Sequence, residues 1–334
     1  MSVSAKELAA ILGVSPSAVS IALNGKPGIS EKTRQAILEA AASHGLKKIR
    51  RKSGAPRFIN LVIYKKHGLV YGDTAFFSSV IEGISSQAAQ SEYNLQVSYF
   101  YEDQDHTEQL NFLRLSESAG IILLATEMLR EDILPFLSLP KPLVLLDSYF
   151  EAGYFDSIAI NNHQGAFLAA RYLLDCGHRQ IGHLASSVFI NNFSERSAGF
   201  LQAVSGTPDC RSCVIRVEST QDGAYGDMSA FLDTKPQLPT AFFADNDIIA
   251  VSCIRALKEH GYRIPEDISI IGFDDMPVSY VTSPKLTTVH VHKEVLGLQA
   301  VRRLIDKINH HDSALLNIRI NVNLVVRDSV KKLT

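Results

Sequence analysis

The sequence predicts a protein in two parts, an all-α helix-turn-helix headpiece and a larger α/β domain whose parallel sheets form two lobes. Three observations support this prediction. Short segments with helix caps fill the first 46 residues, and from residue 58 onward apolar strands alternate with amphipathic helices. A chain of 334 residues also exceeds the size at which one hydrophobic core usually keeps growing.

The composition argues against secreted and membrane proteins. The chain is 46% hydrophobic and 20% charged, which is ordinary for a soluble globular protein. Its N-terminus lacks a basic stretch followed by an apolar run, and no segment approaches the roughly 18 apolar residues of a membrane span. We therefore expect a cytoplasmic protein without a membrane partner.

The cysteines predict neither a disulfide framework nor a metal site. The chain contains Cys176, Cys210, Cys213 and Cys253, which we expect to be reduced thiols. Cys210 and Cys213 form a Cys-x-x-Cys pair, but no second ligand pair stands at the spacing of a zinc site. Any role of this pair stays open.

The charge is distributed unevenly along the chain. Residues 1–57 carry ten Lys or Arg against three acidic residues, whereas the remainder has a net charge of −9. A small basic module on an acidic body indicates a polyanion partner for that module, because DNA phosphates attract Lys and Arg whatever the base sequence. A solvated basic tail is the alternative.

The headpiece shows the start and stop signals of three helices. Ser4 and Glu7 form a capping box for the first helix, which ends at Gly13. Its apolar stripe comprises Leu8, Ala9, Ile11 and Leu12. Ser15 caps a second helix with Pro16 at its first position, and Ser30 caps a third that stops near Gly45. The second helix buries Val19, Ala22 and Leu23 and leaves Ser17, Ser20, Ile21 and Asn24 outward.

Three short helices, the first two joined by a glycine turn, predict a helix-turn-helix unit whose second helix enters a DNA major groove. A plain three-helix bundle is the alternative. The motifs are Val3-Ser-Ala-Lys-Glu-Leu-Ala-Ala10, Leu12-Gly-Val-Ser-Pro-Ser-Ala-Val-Ser20, Ala22-Leu-Asn-Gly25 and Ile29-Ser-Glu-Lys-Thr-Arg34. Together they closely resemble the headpiece of the lactose/galactose repressor (LacI/GalR) family.

This resemblance implies positions that contact double-stranded operator DNA. The groove-facing positions are Ser15, Pro16, Ser17 and Ile21, and the phosphate-binding positions are Ser20, Asn24, Ser30 and Thr33. Many family members carry arginine where this chain has Ile21, so a bidentate contact to guanine is missing and only an apolar contact is available. We therefore expect an operator that differs from the commonest family pattern.

The linker, residues 47–57, also departs from the family. Members typically have a short helix there whose leucine wedges into the minor groove, but this chain has no Leu at the expected place. Gly54-Ala-Pro56 would end any helix early. We hypothesise that the linker binds DNA mainly by charge, through Arg50, Arg51 and Lys52, with Ile49 as a substitute wedge.

The sequence of the large domain, residues 58–334, predicts strands that alternate with helices. The predicted strands are Phe58–Tyr64, Leu95–Tyr101, Gly120–Ala125, Leu143–Leu146, Ile158–Ile160, Ile181–Ala185, Val214–Val217, Ala241–Ala244 and Ile268–Phe273. The predicted helices are Phe76–Gln90, Thr107–Leu115, Leu129–Leu137, a helix ending at Cys176, Ser194–Val204 and Ile248–His260. This pattern is typical of parallel sheets with a ligand crevice at the carboxyl ends of their strands.

Motifs along the whole domain resemble the sensor domain of the same family, which has the type I fold of periplasmic sugar-binding proteins. They include Ile160-Asn-Asn-His-Gln-Gly165, Cys176-Gly-His-Arg179, Arg196-Ser-Ala-Gly199, Ala244-Asp-Asn-Asp247, Ile264-Pro-Glu-Asp-Ile-Ser269, Gly272-Phe-Asp-Asp275, Leu286-Thr-Thr288 and Leu324-Val-Val-Arg-Asp-Ser329. The resemblance implies a first lobe of about 58–159 plus 291–318 and a second of about 160–290 plus 319–329.

The resemblance also implies an effector site between the lobes. Its residues are Phe76, Phe77, Asp147, Arg196, Tyr225, Asn246 and Asp274. Carboxylates, an amide and a guanidinium with aromatic faces suit a polyhydroxylated or nucleoside-like ligand. Structural alternatives remain open: Asp274 could only cap, Arg196 could pair with Asp275, and Phe76 could belong to the core. Lys65, Lys66 and His67 could contact an acidic effector or lie in a solvated loop.

The function that follows is ligand-controlled transcription, usually repression in this family, by a homodimer that binds DNA and an effector. A sugar or sugar derivative is the expected effector, and no other cofactor is expected. The alternatives are a nucleoside- or purine-responsive co-repressed regulator and a ligand-binding protein without DNA control. An enzyme is not expected, because no nucleophile, phosphate-loop or metalloprotease motif occurs.

Replacing Arg50, Arg51 and Lys52 together by Gln tests the charged linker. We expect weaker binding to any duplex and a slope of log affinity against log salt that is smaller by about 2 to 3, because each phosphate contact contributes about 0.9 to this slope. Fluorescence anisotropy over a salt series measures both quantities. An unchanged affinity and slope would contradict the hypothesis.

Overall fold

In the computed structural model the chain separates into two units, Met1–Pro56 and Arg57–Thr334. The structure describes residues 5–23, 28–43, 58–70, 75–151, 153–310 and 314–333. The predictions that concern Ser4, Asn24, Gly45 and the linker of residues 47–57 lie outside the described residues. No helix in the described ranges is long and apolar enough to span a bilayer.

The described part of the first unit contains three helices: α1 (Ala5–Leu12), α2 (Pro16–Leu23) and α3 (Glu31–Ser43). Their buried core consists of Leu8, Ala9, Val19, Ala22, Ile37 and Ala41. Gly13 has a positive φ of 64° at the turn between α1 and α2. The hydroxyl of Ser15 accepts a hydrogen bond from the Ala18 amide at 3.1 Å, and that of Ser30 accepts one from Thr33 at 3.1 Å. Both predicted caps are therefore confirmed.

The prediction that Ile11 belongs to the buried stripe of α1 is wrong, because its side chain is 57% exposed. At about 100° per residue, Leu8, Ala9 and Leu12 cluster on one side of the helix, whereas Ile11 lies about 110° from the centre of that cluster. In α2 the prediction for Leu23 is only partly met, since this side chain is half-buried.

The second unit alternates strands and helices. Its first part contains β1 (Phe58–Lys65), α4 (Ala75–Gln90), β2 (Asn94–Tyr101), α5 (His106–Leu115), β3 (Ile121–Leu124), a 3-10 helix (Glu131–Ser138), β4 (Leu143–Leu146) and β5 (Asp156–Ile160). There follow α6 (Asn162–Asp175), β6 (Gln180–Ser186), α7 (Asn191–Ser205), β7 (Arg211–Val217), α8 (Gln221–Asp233), β8 (Ala241–Ala244), α9 (Asp247–Glu259) and β9 (Ser269–Asp274). The last elements are α10 (Val278–Val281), β10 (Thr287–His290), α11 (Lys293–His310), β11 (Asn317–Ile320) and β12 (Asn323–Val325).

Two six-stranded sheets organise the described part of this unit. The strand orders are β11-β5-β4-β3-β1-β2 and β12-β10-β9-β8-β6-β7. The pairs in the first sheet are parallel, and in the second β12 runs antiparallel to β10. Strands β3, β4, β5, β8 and β9 are buried along their whole length, because helices cover both faces of each sheet. The predicted two-lobed α/β fold with parallel sheets is confirmed.

The chain passes between the two sheets three times. It leaves the first sheet after Ile160, returns after His290 and leaves again after Ile320. Arg319 and Ile320 pair with Ala159 and Ile160 in the first sheet. The first lobe therefore extends two residues beyond the predicted limit at residue 318.

Parts of the predicted alternation are incomplete. Where an α-helix is predicted over 129–137, Glu131–Ser138 forms a 3-10 helix, because Pro135 lacks an amide hydrogen and its ring disfavours a regular α-helical turn. Helices α8 and α11 are absent from the prediction. In α8, Gly223 and Gly226 weaken the helix signal. In α11 the signal was present, since Leu296, Ala300, Val301 and Leu304 are buried at helical spacing.

Two helix pairs approach so closely that only glycine fits at the contact. A methyl group on Gly83 of α4 would overlap the carbonyl oxygen of Glu294 in α11, and one on Gly199 of α7 would overlap that of His163 in α6. Rotation of a side chain cannot relieve either overlap, because each involves the backbone of the neighbouring helix. These glycines set the separation of the helices that cover the two sheets.

Replacing Gly83 by Ala should lower the free energy of unfolding by about 1 to 3 kcal/mol, because α4 and α11 must move apart. The matched control is Gly226→Ala in α8, where nothing lies within 4 Å of the added methyl group. That change should be neutral or stabilising by up to about 1 kcal/mol. Urea unfolding measures both variants, and equal stability of the two would contradict this account of the helix contact.

Candidate functional site

A cavity lies between the carboxyl ends of the strands in the two sheets, where ligands bind in open α/β sheets. Its empty volume is about 490 Å³, counting space that is open to solvent. The first lobe contributes Val70, Phe76, Phe77, Thr126, Asp147 and Ile160. The second lobe contributes Ile190, Asn192, Phe193, Arg196, Asn246, Ile248, Asp274 and Met276.

The structure brings together around this cavity six of the seven residues expected at an effector site, namely Phe76, Phe77, Asp147, Arg196, Asn246 and Asp274. Tyr225 does not line it. The Tyr225 hydroxyl donates to Glu259, and the guanidinium of Arg255 lies 4.2 Å from the centre of its ring. The structure therefore removes Tyr225 from the candidate site, because α8 packs this side chain against α9. Ligand binding by the other six stays a prediction.

Arg196 is the central cation of the site. Its side chain is 3% exposed and lies with its guanidinium carbon 3.7 Å from the centre of the Phe273 ring. Nε donates to Oδ1 of Asn162 at 2.8 Å, Nη2 donates to Oδ1 of Asp274 at 3.1 Å, and Nη1 donates to the carbonyl oxygen of Asp245. A buried charge is tolerated only when it is paired and hydrogen-bonded, and here both conditions hold.

The alternative pairing of Arg196 with Asp275 is wrong. Asp275 binds Arg327 through Nη2 at 2.6 Å and His290 through Nδ1 at 2.8 Å. Burial alone would raise the pKa of Asp275, but the hydrogen bonds from Arg327 and His290 hold it below its ordinary value. The two neighbouring carboxylates therefore have different partners, and Asp274 is the one at the cavity.

Asp147 follows directly after β4 and adopts a left-handed backbone conformation with φ of 62°. Its side chain is 2% exposed, and Oδ2 accepts a hydrogen bond from the Thr126 hydroxyl at 2.7 Å. Oδ1 is buried without a hydrogen-bond partner in the described part of the chain. Burial raises the pKa of Asp147 to about 7, although the bond from Thr126 opposes this shift. The site thus holds an unsatisfied acceptor atom.

Asn246 and Asp247 join β8 to α9 at the cavity. The side-chain oxygen of Asn246 accepts from the Ile249 amide at 2.9 Å and so caps α9. Asp247 is buried, and its carboxylate accepts from the Met276 amide at 2.7 Å and from the Thr288 hydroxyl at 2.5 Å. Burial raises the pKa of Asp247 to about 8. Asp247 therefore supports the lining residue Met276 rather than lining the cavity itself.

Several lining residues were missed from the sequence. Asn192 of α7 also lines the cavity, and its amide donates to the carbonyl oxygen of Asp147 at 3.1 Å. Its spacing of four residues from Arg196 puts both on one face of a helix, so helical periodicity could have identified it. Thr126 lies two residues after β3 and Asp147 directly after β4, so the proximity of both to strand ends was the available signal.

The described part of the loop after β1, residues 66–70, is held by hydrogen bonds to a buried carboxylate. The carboxylate of Glu127, 1% exposed, accepts from the amides of Lys66, His67, Gly68 and Val70 at 2.8 to 3.1 Å. Burial alone would raise the pKa of Glu127, but hydrogen bonds from His67, Gly68 and Val70 lower it to about 2.

The two polar side chains of this loop also have acidic partners. Nζ of Lys66 lies 2.8 Å from Asp132, and Nδ1 of His67 lies 3.2 Å from Glu127. Nζ of Lys65 lies 4.9 Å from the centre of the Tyr99 ring. The described part of the loop is anchored to Glu127 and Asp132, and contact of Lys65, Lys66 or His67 with an acidic effector stays a prediction.

The candidate DNA-binding residues of the headpiece lie on and around α2. The exposed ones are Ser15, Pro16, Ser17, Ser20 and Ser30, and the half-buried ones are Ile21 and Thr33. Asn24, Arg50 and Arg51 lie outside the described residues. The exposed hydroxyls of Ser17 and Ser20 are one turn apart or less on the same short helix, an arrangement that leaves both accessible to a partner.

Among the residues that the structure describes, the cysteines and histidines show no metal-binding arrangement. Cys176 and Cys253 are buried, and burial raises the pKa of the Cys210 and Cys213 thiols, which disfavours reactive thiolates. No group of three or more His, Cys, Asp or Glu side chains within the described ranges is placed to hold a metal ion.

Comparisons with known proteins agree with this fold. Residues 170–330 match the family described as periplasmic binding protein-like domain. The repressor PurR of Mannheimia succiniciproducens is 30% identical over 335 residues, covering 98% of both chains. PurR of Pasteurella multocida is also 30% identical, over 337 residues and 98% of both chains.

Solved structures give the same result. The transcriptional regulator CelR in complex with cellobiose superimposes with a TM-score of 0.73 at 22% identity, over 98% of this chain and 99% of that one. The lac repressor dimer bound to operator and an anti-inducer gives 0.72 at 22% identity, over 99% and 100%. A LacI-family regulator from Enterococcus faecium with bound ribose gives 0.70 at 25% identity, over 82% and 100%.

A helix-turn-helix unit followed by a two-lobed periplasmic-binding-protein-like domain defines a transcription regulator with a sensor domain. Because a repressor is 30% identical over nearly the whole of both chains, this protein belongs to the LacI/GalR family of transcription regulators. It is a DNA-binding regulator and not an enzyme.

Asp147 makes a pH-dependent contribution to stability. In the folded protein the carboxyl group of Asp147 keeps its proton up to about pH 7, whereas in the unfolded chain it loses that proton near pH 4. Ionisation in the unfolded chain alone lowers the free energy of unfolding as pH rises from about 4 to 7, by up to about 1.4 kcal/mol per pH unit. Above pH 7 this loss is complete.

Asp147→Asn should lack this contribution, so its stability relative to the native protein should increase as pH rises from about 5 to 7. Urea unfolding at steps of half a pH unit measures the difference in free energy of unfolding between the variant and the native protein. The window avoids the opposite effect of Glu127, whose stabilisation is lost below about pH 4.5. A difference that stays constant across the window would show that Asp147 ionises normally in the folded protein.

Proposed function

We propose that this protein is a cytoplasmic, homodimeric repressor whose affinity for operator DNA is controlled by a small hydroxyl-rich effector bound between the lobes. The observation that carries this proposal is Oδ1 of Asp147, a buried acceptor at the cavity with no partner in the described structure. An unsatisfied buried oxygen costs free energy, and a ligand hydroxyl or amino group would satisfy it.

The chemistry of the lining supports a ligand that donates hydrogen bonds. All three guanidinium nitrogens of Arg196 already donate to protein groups, while the side chains of Asp147 and Asp274 present acceptor atoms. Phe76 and Phe77 lie edge to face with ring centres 5.1 Å apart and offer an apolar surface. A carbohydrate or a nucleoside combines donors with an apolar face, and we propose the carbohydrate class first.

DNA recognition is proposed for the exposed face of α2. Ser17 and Ser20 supply hydroxyl groups, and Ile21 offers only an apolar contact, so recognition of a thymine methyl fits better than recognition of guanine. The hydroxyls of Ser15 and Ser30 remain near the DNA-facing surface but also cap their helices.

A homodimer is supported by apolar side chains on the surface of the sensor domain. Val97 and Tyr99 of the edge strand β2 are 43% and 46% exposed, and Phe112 and Leu115 of α5 are 57% and 81% exposed. Exposed apolar side chains mark an interface where they form a contiguous patch. A dimer with two headpieces suits an operator with two half-sites.

The relatives supply further support. The similar proteins include repressors named PurR, a regulator solved with cellobiose, one solved with ribose and a repressor dimer solved on its operator. Their ligands differ in kind, so they support effector control without naming the effector of this protein. Nucleoside-responsive co-repression and ligand binding without DNA control remain the competing functions.

Binding to genomic fragments that include the upstream region of its own gene tests the proposal, with and without a panel of sugars, sugar phosphates and nucleosides. We expect specific, salt-sensitive binding that one compound changes. Asp147→Ala should weaken the response to that compound by about 5- to 100-fold, because a buried ligand group would lose its hydrogen-bond partner, and should leave DNA binding without effector intact.

Tyr225→Phe is the matched control, because it removes a polar group of the sensor domain that does not line the cavity. Its effector response should equal that of the native protein. An equal loss in both variants would contradict the assigned site, whereas absence of sequence-specific DNA binding under all conditions would favour a ligand-binding protein without DNA control.

A further inference from the structure

Helix α7 belongs to the second lobe and touches the first lobe at successive turns. The amide of Asn191 donates to the carbonyl oxygen of Tyr149 at 2.8 Å, and that of Asn192 donates to the carbonyl oxygen of Asp147 at 3.1 Å. Both acceptors lie just beyond β4 of the first lobe. The start of α7 is thus bound to the backbone on the far side of the cavity.

One turn further along α7, Glu195 forms an ion pair that joins the lobes. Its Oε1 lies 2.8 Å from Nη2 of Arg319, which stands on β11 of the first sheet. The guanidinium of Arg319 also lies 4.8 Å from the centre of the Tyr149 ring, so its orientation is fixed from a second side. Tyr149, Arg319 and Glu195 form what we call the interlobe strap.

Further contacts connect the interlobe strap to the cavity. Oε2 of Glu195 lies 3.5 Å from the amide nitrogen of Asn162, a long contact, and Oδ1 of the same Asn162 accepts from Nε of Arg196 at 2.8 Å. Glu195 and Arg196 are neighbours on α7, and both engage Asn162 at the start of α6. A movement of Arg319 away from Glu195 would therefore loosen the element that carries Arg196.

The interlobe strap is partly exposed to water, so its ion pair can form and break. The side chains of Arg319 and Glu195 are 29% and 19% exposed, so water can replace the ion pair when the lobes separate. The Arg196 pair, by contrast, is almost fully buried within the second lobe and does not cross between lobes. The interlobe strap can break without exposing a buried charge, which suits a contact that opens and closes.

We propose that Glu195 and Arg319 are positioning residues, which hold the lobes closed over the cavity and so set how tightly it retains an effector. The effect on an effector rests on the proposed function, but the effect on lobe closure does not. Loss of a partly exposed ion pair should raise the ratio of open to closed molecules about two- to fivefold.

The experiment measures the distance between the lobes in the full-length protein. Spin labels are placed at Gln104→Cys and Gln221→Cys, exposed positions beyond the carboxyl ends of β2 and β7, in a background with Cys210→Ser and Cys213→Ser. Labelled protein is diluted into unlabelled protein so that distances between molecules do not contribute. Double electron–electron resonance then gives the distance distribution for the native strap, Glu195→Gln, Arg319→Met and the double variant.

We expect each single variant to shift population to the more open distance by the same two- to fivefold factor, and the double variant to add nothing, because all three lack the same contact. Arg171→Met is the matched control, since it removes an ion pair with Asp175 that lies within α6 alone. Its distribution should equal that of the native protein. Arg319→Lys, which retains the charge, provides the comparison should the Met variant fail to fold.

Unchanged distributions in folded strap variants, or shifts that add in the double variant, would overturn the proposal. This result is independent of any effector or DNA, so it is distinguishable from a failure of the proposed function. If the panel yields an effector, the strap variants should release it faster than Arg171→Met does.

Discussion

The buried guanidinium of Arg196 is the constraint around which the second lobe is organised. It joins the start of α6 through Asn162, the end of β8 through the carbonyl oxygen of Asp245 and the end of β9 through Asp274. A charge at this depth is stable only while all of these partners stay in place. Removal of one partner would leave part of the buried guanidinium without an acceptor. The ends of two neighbouring strands and two helices are therefore fixed relative to one another before any ligand contact is considered.

The first lobe fixes its side of the cavity by other means. Asp147 has a positive φ directly after β4, which turns its carboxylate toward Thr126 at the end of the neighbouring strand. The carboxylate of Glu127 accepts hydrogen bonds from backbone amides of the loop after β1 and so holds Val70 in the cavity wall. One lobe thus depends on a buried cation and the other on two buried acidic side chains, of which Glu127 is satisfied by backbone amides and Asp147 retains one unpartnered oxygen.

Much of this arrangement could be predicted from the sequence, and the limits have physical causes. Strand ends and helix starts are marked by local patterns, so Phe76, Asp147, Asn246 and Asp274 could be placed at one edge of the sheets. The prediction that Tyr225 lines the cavity was wrong, because the direction of this side chain depends on which face of α8 packs against the protein. Two glycines in α8 obscure the apolar periodicity that would identify that face. Likewise, only tertiary structure shows that Arg196 pairs with Asp274 and not with Asp275. The interlobe strap was invisible for a similar reason, since Glu195 and Arg319 are far apart along the chain.

The three crossings between the sheets have a consequence for synthesis of the protein. The headpiece is built from the first residues alone, and its core is complete once α3 has emerged from the ribosome. The first sheet, in contrast, lacks its outer strand until β11 is made, and the second sheet waits for β12. Both lobes consequently remain unfinished until nearly the whole chain exists, so a nascent DNA-binding unit is available well before the domain that would regulate it.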